Sequence, residues 1–287
     1  MQPMDFRSQE ILHLIDLCLR EDLGNGDHSS IASIPQGTIG HSRILFKQDG
    51  VLAGIELARV ILHQLDAGIS LTVHKRDGDH IPSGTIVAEA EGSVHSLLAA
   101  ERLLLNFMQR LSGIATQTAE AMNRLKGYHT QILDTRKTTP GLRLLEKWAV
   151  KTGGGANHRI GLYDMIMLKD NHVDSAGGIR PAIERTLAYL QQNNLDLRIE
   201  VETRNLAEVD EVLQTGGVHR IMLDNYTPEQ CKEAVKRING RAETEASGGI
   251  HLDNLVEYAQ SGVDFISLGY LTHSVKALDI SMKTHML

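Results

Sequence analysis

The chain has 287 residues, 41% hydrophobic and 23% charged, with 26 glycines and 6 prolines. That composition excludes a disordered or collagen-like polymer, and the length suffices to bury a core without staples. A net charge of −7 argues against a nucleic-acid binder, no apolar run approaches a membrane span, and the distant Cys18 and Cys231, neither in a CxxC pair, argue against a disulfide framework or a thiolate zinc site.

In chain order, residues 1–113 read as an α+β domain. Glu10 to Arg20 places Ile11, Leu14, Ile15 and Leu19 on one side of a helix. Glycine- and aspartate-rich turns then separate short alternating runs near 38–46, 69–74 and 85–90, the pattern of strands. Leu97 to Leu111 is a strongly apolar helix that carries Glu101, Arg102, Asn106 and Arg110. Residues 114–271 repeat one unit instead. Candidate strands at 131–134, 165–168, 198–201, 220–223, 242–245 and 265–268 alternate with helical patterns at 181–192, 206–213 and 252–258. Pro228 near a helix start and Gly216-Gly217 after a helix end are the expected punctuation. This alternation predicts a parallel sheet whose right-handed crossovers curl it toward a barrel. The span is shorter than the eight-unit barrel of about 250 residues. The expected fold class is therefore α/β: an incomplete, about six-stranded parallel β/α barrel with an N-terminal α+β domain. Residues 272–287 read as a packed tail, and MQPMDFRSQE lacks an apolar signal core, so the expected location is cytoplasmic.

Ligands of parallel α/β folds lie beyond the carboxyl ends of the strands. Behind the six candidate strands stand Thr135-Arg136-Lys137, Lys169-Asp170-Asn171-His172, Glu202, Asp224-Asn225, Ser247-Gly248-Gly249 and Gly269-Tyr270. One polar ending means little, because loops are polar; six in phase predict a site. Arg136 and Arg159 suit bidentate grips on flat carboxylates, and Lys137 and Lys169 are point charges suited to phosphates. Glu202 and Asp224 are hard oxygen ligands for Mg²⁺, directly or through water, or countercharges for a developing cationic sugar carbon. Glu200 points the same way as Glu202 from one strand. Glu200 and Glu245 read equally as ion pairs with lysines inside the barrel and as part of the chemistry. Ser247-Gly248-Gly249 opens the next helix as a phosphate cradle, with Gly269 after the following strand. His158, beside Arg159, is placed to hydrogen-bond a carboxylate, and Asn171 and Asn225 read as orienters. Between Asp134 and Asn171 the charge sums to +3 in a chain of −7, which points to a small polyanionic ligand.

The block DTRKTTPGLRLLEKWAVKTGGGANHRIGLYDMIMLKDNH over 134–172 resembles the quinolinate phosphoribosyltransferases. So do REDLGNGDHSS at 20–30, AERLLLNFMQRLSGIAT at 100–116, and IEVET, LDN, EASGGI and SLGYLTHSVKALDIS further on. The resemblance runs nearly end to end. It implies that quinolinate and phosphoribosyl pyrophosphate give nicotinate mononucleotide, pyrophosphate and CO₂, with Mg²⁺, in NAD synthesis. It also implies a tail that returns to the N-terminal domain and a homodimer whose site is completed by the partner. On these positions, Arg102 from the neighbouring copy, Arg136, His158, Arg159 and Lys169 would bind the two carboxylates. Lys137, Glu202 and Asp224 would bind phosphoribosyl pyrophosphate and its metal. Ser247, Gly248, Gly249, Gly269 and His273 would hold the 5′-phosphate, and Thr135, Leu268 and Tyr270 complete the substrate-facing set. No pyridoxal or thiamine cofactor is implied. Three rivals stand beside this: a nicotinate or nicotinamide phosphoribosyltransferase, an aldolase using Lys137 or Lys169 as a Schiff-base amine, and a non-catalytic anion binder.

Overall fold

The computed structural model describes residues 4–287; the first three residues of the stretch read for a signal core lie outside it. The elements, in order, are α1 (Gln9–Leu23), α2 (His28–Ser33), β1 (Ile39–Phe46), β2 (Gly50–Val51), α3 (Ile55–Leu65), β3 (Ser70–Val73), β4 (His80–Ile81), β5 (Ile86–Ser93) and α4 (Val94–Arg124). Then follow β6 (Gln131–Leu133), α5 (Arg143–Thr152), β7 (Ile166–Leu168), α6 (Asp170–Ala176), α7 (Ile179–Asn193), β8 (Ile199–Thr203), α8 (Leu206–Thr215) and β9 (Arg220–Asp224). The chain closes with α9 (Pro228–Ile238), β10 (Glu243–Ser247), α10 (Leu255–Gln260), β11 (Phe265–Ser267), α11 (Tyr270–His273) and β12 (Ile280–Met286). Among the described residues no helix is long and apolar enough to cross a membrane.

The chain divides into two compact units. The first runs to Gln117 and takes in Pro140–Gly153 and Ser274–Leu287; the second holds Thr118–Thr139 and Gly154–His273. In the first unit, β12-β1-β5-β3 form an antiparallel sheet, and β12 pairs β1 from Gly40↔Met286 to Phe46↔Ile280. Every second residue of β1 is buried, so Ile44 and Phe46 enter a core with Leu52, Leu62, Leu97 and Leu104 while Arg43 stays out. Residues 143–152, inside the span that the sequence assigns to the second part, fold here as α5. The reason is its partners: buried Glu146 is held by Arg110 at 2.6 Å, and Trp148 meets Phe6 edge-on at 5.0 Å.

The second unit holds the six-stranded parallel sheet, in order β6-β11-β10-β9-β8-β7. All six strands expected from the sequence are present, with ends shifted by a residue or two. The edges are β6 and β7, so the barrel is incomplete, as expected. Strands buried on both faces need apolar runs, and Ile132-Leu133, Ile221-Met222-Leu223 and Ile266 supply them. The helices between them cap as their sequences direct. Thr227 and Gln230 exchange side-chain and backbone bonds around Pro228 at the start of α9, and Asn205 caps α8 through the Glu208 N–H.

Candidate active site

A cavity of about 380 Å³ opens at the carboxyl ends of these strands. Its walls bring together Thr135, Arg136 and Lys137 behind β6, Lys169 behind β7, Glu202 of β8, Asp224 of β9, and Ser247 and Gly248 at β10, with His158 and Arg159 from the loop before β7. Of the seven cations in the basic run, Arg136, Lys137, Arg159 and Lys169 meet here. Arg143, Lys147 and Lys151 do not, because they ride on α5 in the other unit. A larger hollow of about 670 Å³ in the first unit is lined by Leu12, Val60, Ile69 and Leu71 with Arg7 and Arg59, and no acid stands in its lining.

Short-range bonds hold several of these segments in place. The Lys137 N–H donates to Thr135 Oγ1 at 3.1 Å, and the Thr272 hydroxyl donates to the Lys137 carbonyl at 2.9 Å. A Cβ on Gly269 would sit 3.1 Å from Lys137 Cδ and 3.2 Å from His273 Cδ2, so glycine leaves room for the lysine stem. His172 has a defined part: its Nδ1 accepts the Lys169 N–H at 3.0 Å and caps α6. Lys169 Nζ then lies 3.4 Å from Glu202 Oε2. Asn225 is an orienter, as expected; its Nδ2 donates to Asp224 Oδ2 at 2.6 Å, and its own backbone is left-handed at φ 57°. Gly248 is the tightest position in the cradle. Its φ is +90°, and a Cβ there would meet Asn225 Oδ1 at 2.2 Å.

Burial raises the pKa of both Glu202 and Asp224. Lys169 opposes the shift at each, while Asp224 adds to it at Glu202. Two crowded acids with hard oxygen donors suit a divalent cation such as Mg²⁺. Desolvation, then the neighbouring Arg136 charge, lowers the Arg159 pKa.

Beneath this mouth is a second charged layer, and it corrects one expectation. The partners of Glu200 and Glu245 are not lysines. His158 Nε2 lies 3.0 Å from Glu200 Oε2 and 3.4 Å from Glu245 Oε2, and Arg220 Nη1 lies 2.9 Å from Glu245. Burial and the Glu245 charge raise Glu200 to about 7. Burial acts against the Glu245 charge too, but His158 and Arg220 outweigh it and hold that pKa low. Desolvation pulls the His158 ring down, and the two carboxylates overcome it and lift the ring to about 9. On the other side of the ring, the Arg159 N–H points at Nδ1 at 2.7 Å. His158 thus stands on the cavity wall between the two buried carboxylates and the backbone of Arg159.

Some expected residues stand elsewhere. Arg102 is in the first unit, in a hollow with Glu21, Asp22 and Asn106. Leu268 is buried and offers its N–H to the Leu133 carbonyl at 2.9 Å. Gly249, Gly269, Tyr270 and His273 follow the strand ends without lining the cavity. Sequence reasoning missed Arg220 and Asp134. Asp134 Oδ1 accepts the His158 N–H at 2.9 Å, tying β6 to the loop that carries Arg159. Arg220 is signalled only by its phase, two and four residues before Met222 and Asp224 on one face of β9.

Comparison with known proteins agrees with the geometry. The family model described as "Quinolinate phosphoribosyl transferase, C-terminal domain" matches residues 114–283, and the N-terminal domain model matches 27–112. The chain belongs to the quinolinate phosphoribosyltransferase family. Within this family it is 45% identical over 99% of its length to the "Nicotinate-nucleotide pyrophosphorylase [carboxylating], chloroplastic" of Arabidopsis thaliana, covering 85% of that protein. It is 42% identical to the "Probable nicotinate-nucleotide pyrophosphorylase [carboxylating]" of Bacillus subtilis, over 95% of this chain and 93% of that one. The crystal structure of NadC from Streptococcus pyogenes superposes with a TM-score of 0.94 at 40% identity, covering 99% of this chain and all of that one. A human nicotinic acid phosphoribosyltransferase shares the fold alone, at 12% identity and a TM-score of 0.64.

Proposed function

We propose that the protein transfers the phosphoribosyl group of phosphoribosyl pyrophosphate to quinolinate with decarboxylation, giving nicotinate mononucleotide, pyrophosphate and CO₂ in NAD biosynthesis. One observation carries this: four basic side chains and an acid pair line a single cavity. Both substrates are polyanions, which accounts for Arg136, Lys137, Arg159 and Lys169. A mere anion binder gains nothing from Glu202 and Asp224 among its cations. A Schiff-base role is disfavoured for Lys169, whose Nζ faces the Glu202 carboxylate at 3.4 Å.

In this reading the arginines grip the carboxylates of quinolinate and place its ring nitrogen. The bond from the anomeric carbon to pyrophosphate breaks as the pyridine nitrogen bonds to that carbon, and Glu202 and Asp224 face the positive charge that develops there. The quaternised ring then holds the electron pair left when the 2-carboxylate departs as CO₂, and C2 takes a proton. No side chain forms a covalent bond to substrate, so the rate comes from placement and preorganised charge. Ser247 and Gly248 hold the 5′-phosphate, with Gly249, Gly269 and His273 beside them. Glu202 and Asp224 would hold Mg²⁺, which when bound neutralises charge on the diphosphate.

The working form is a homodimer in which Arg102 reaches the cavity of a second copy; what supports this is that Arg102 lies outside its own chain's cavity lining. Mixing Arg102→Ala and Lys169→Ala chains tests it, and recovered activity in the mixture is the expected outcome. The proposed compartment is the cytoplasm. Two free cysteines suit a reducing compartment, and cell fractionation distinguishes it from the organelles named for some plant relatives. The deciding assay offers phosphoribosyl pyrophosphate with quinolinate, nicotinate or nicotinamide and follows the mononucleotide and CO₂. Product from quinolinate alone, with one CO₂ for each, is expected. Product from nicotinate without CO₂ would replace the proposal with its nearest rival.

A further inference from the structure

The buried layer beneath the cavity contains a residue that touches no wall of it and still governs one of its grips. Arg220 opens β9 and is 8% exposed. Its guanidinium binds Glu243 through Nη2 at 2.9 Å and Nε at 3.0 Å, binds Glu245 through Nη1 at 2.9 Å, and lies over the Phe265 ring at 4.1 Å. It is thus fixed on three sides by β10 and β11. Glu245 passes the constraint on, because its Oε2 faces His158 Nε2 at 3.4 Å, with Glu200 Oε2 on the same nitrogen at 3.0 Å. The other side of that ring accepts the Arg159 N–H at 2.7 Å. Arg159 is then aimed by one more bond, from its Nη1 to the Met165 carbonyl at 3.1 Å. The Arg220 and Arg159 contacts are directional hydrogen bonds and the two carboxylates meet His158 Nε2 at ion-pair distance, all in a water-poor interior where a misplaced charge moves its neighbours.

We propose that Arg220 is a positioning residue for quinolinate, acting through Glu245 and His158 to set the backbone and guanidinium of Arg159 where the substrate's carboxylate arrives. The inference rests on the proposed transferase activity. The layer does not serve as a metal site instead, although His158, Glu200 and Glu245 offer three ligand atoms within 4.8 Å of one another. The Arg220 guanidinium already answers Glu245 at hydrogen-bond distance, and a cation placed among the ligands would face that fixed positive charge.

Bidentate geometry makes the guanidinium specific. A lysine keeps the charge and cannot span Glu243 and Glu245 at once. Arg220→Lys should therefore raise the KM for quinolinate about 10-fold while the KM for phosphoribosyl pyrophosphate stays within about 2-fold, since Lys137, Ser247 and Gly248 are untouched. Glu245→Gln keeps the shape, breaks the same chain one link later, and should show the same split. Steady-state kinetics against each substrate, with thermal melting and circular dichroism alongside, make the test. A purely structural Arg220 predicts a lower melting temperature with both KM values unchanged, or both moved together. Either result in folded Arg220→Lys or Glu245→Gln enzyme overturns the inference and leaves the transferase activity standing. A folded wild type that makes no mononucleotide from quinolinate overturns both.

Discussion

The mouth and the floor of the barrel use the same residue types to opposite ends. At the mouth, Lys169 and Glu202 meet at 3.4 Å, Lys169 is half-exposed, and Arg136 and Lys137 share the hollow with acids. At the floor, Glu200 and Glu245 stand two residues below the mouth on their strands, and with Arg220 and the loop residue His158 they are buried and packed against one another. Depth explains the contrast. A buried ion must find its countercharge within the protein or lose its charge. An ion at the rim keeps water until a ligand displaces it, so its charge remains available. Charge alone therefore does not mark a substrate-binding group; the layer of the strand on which it stands does.

Four experiments break or sharpen that contrast. The largest effect is expected at the floor, where Arg220→Ala strands Glu245 without its cation. A loss of about 3–5 kcal/mol in denaturant-derived stability is expected for removing one partner of a buried pair, and a loss below about 1 kcal/mol would show the layer to be loosely solvated. At the mouth, Lys137→Ala should reverse the pattern, lowering kcat by roughly 10²–10³ while the melting temperature holds. Full activity would remove Lys137 from the site. Gly248→Ala falls between the two. The new methyl meets Asn225 at a backbone angle that disfavours side chains, so about 1–3 kcal/mol of stability should go, together with a higher KM for phosphoribosyl pyrophosphate.

The smallest effect is the most telling. The Glu202 pKa is raised in the folded protein, chiefly by burial, so the folded state binds its proton more tightly than the unfolded chain. The stability that comes with that proton is fully present below the ordinary value of 4.5 and is lost as pH rises through the folded value. Glu202→Gln should accordingly be slightly more stable than wild type at neutral pH, though nearly inactive. That advantage should shrink as the pH falls through the carboxylate range. Melting curves from pH 4 to 8 give the sign, and an advantage that grows toward acid would contradict it.

Much of this was legible in the chain itself. The six parallel strands announce themselves because most are short apolar or β-branched runs, as strands covered on both faces require, alternating with helical patterns. Most mouth residues are legible by the same logic, since they follow such a run, whereas His158 and Arg159 stand on the loop before β7. Other features hide. In α5 the apolar positions of RLLEKWAVKT are interleaved with charges, and its Glu146 is buried only because Arg110 comes to meet it. The tail strand β12 becomes a strand by pairing with β1, more than two hundred residues away in sequence.

Arg220 marks the limit most clearly. An arginine at the start of a strand is unremarkable until register sets it opposite both Glu200 and Glu243. The order of amino acids, with its hydrophobic periodicity and its polar strand ends, determined by itself that this chain makes a parallel α/β sheet with a polyanion site along one rim. Only the tertiary structure decided which charges are spent on one another and which are left for a ligand. That choice depends on depth and on cross-strand partners, and both are set by residues distant in sequence.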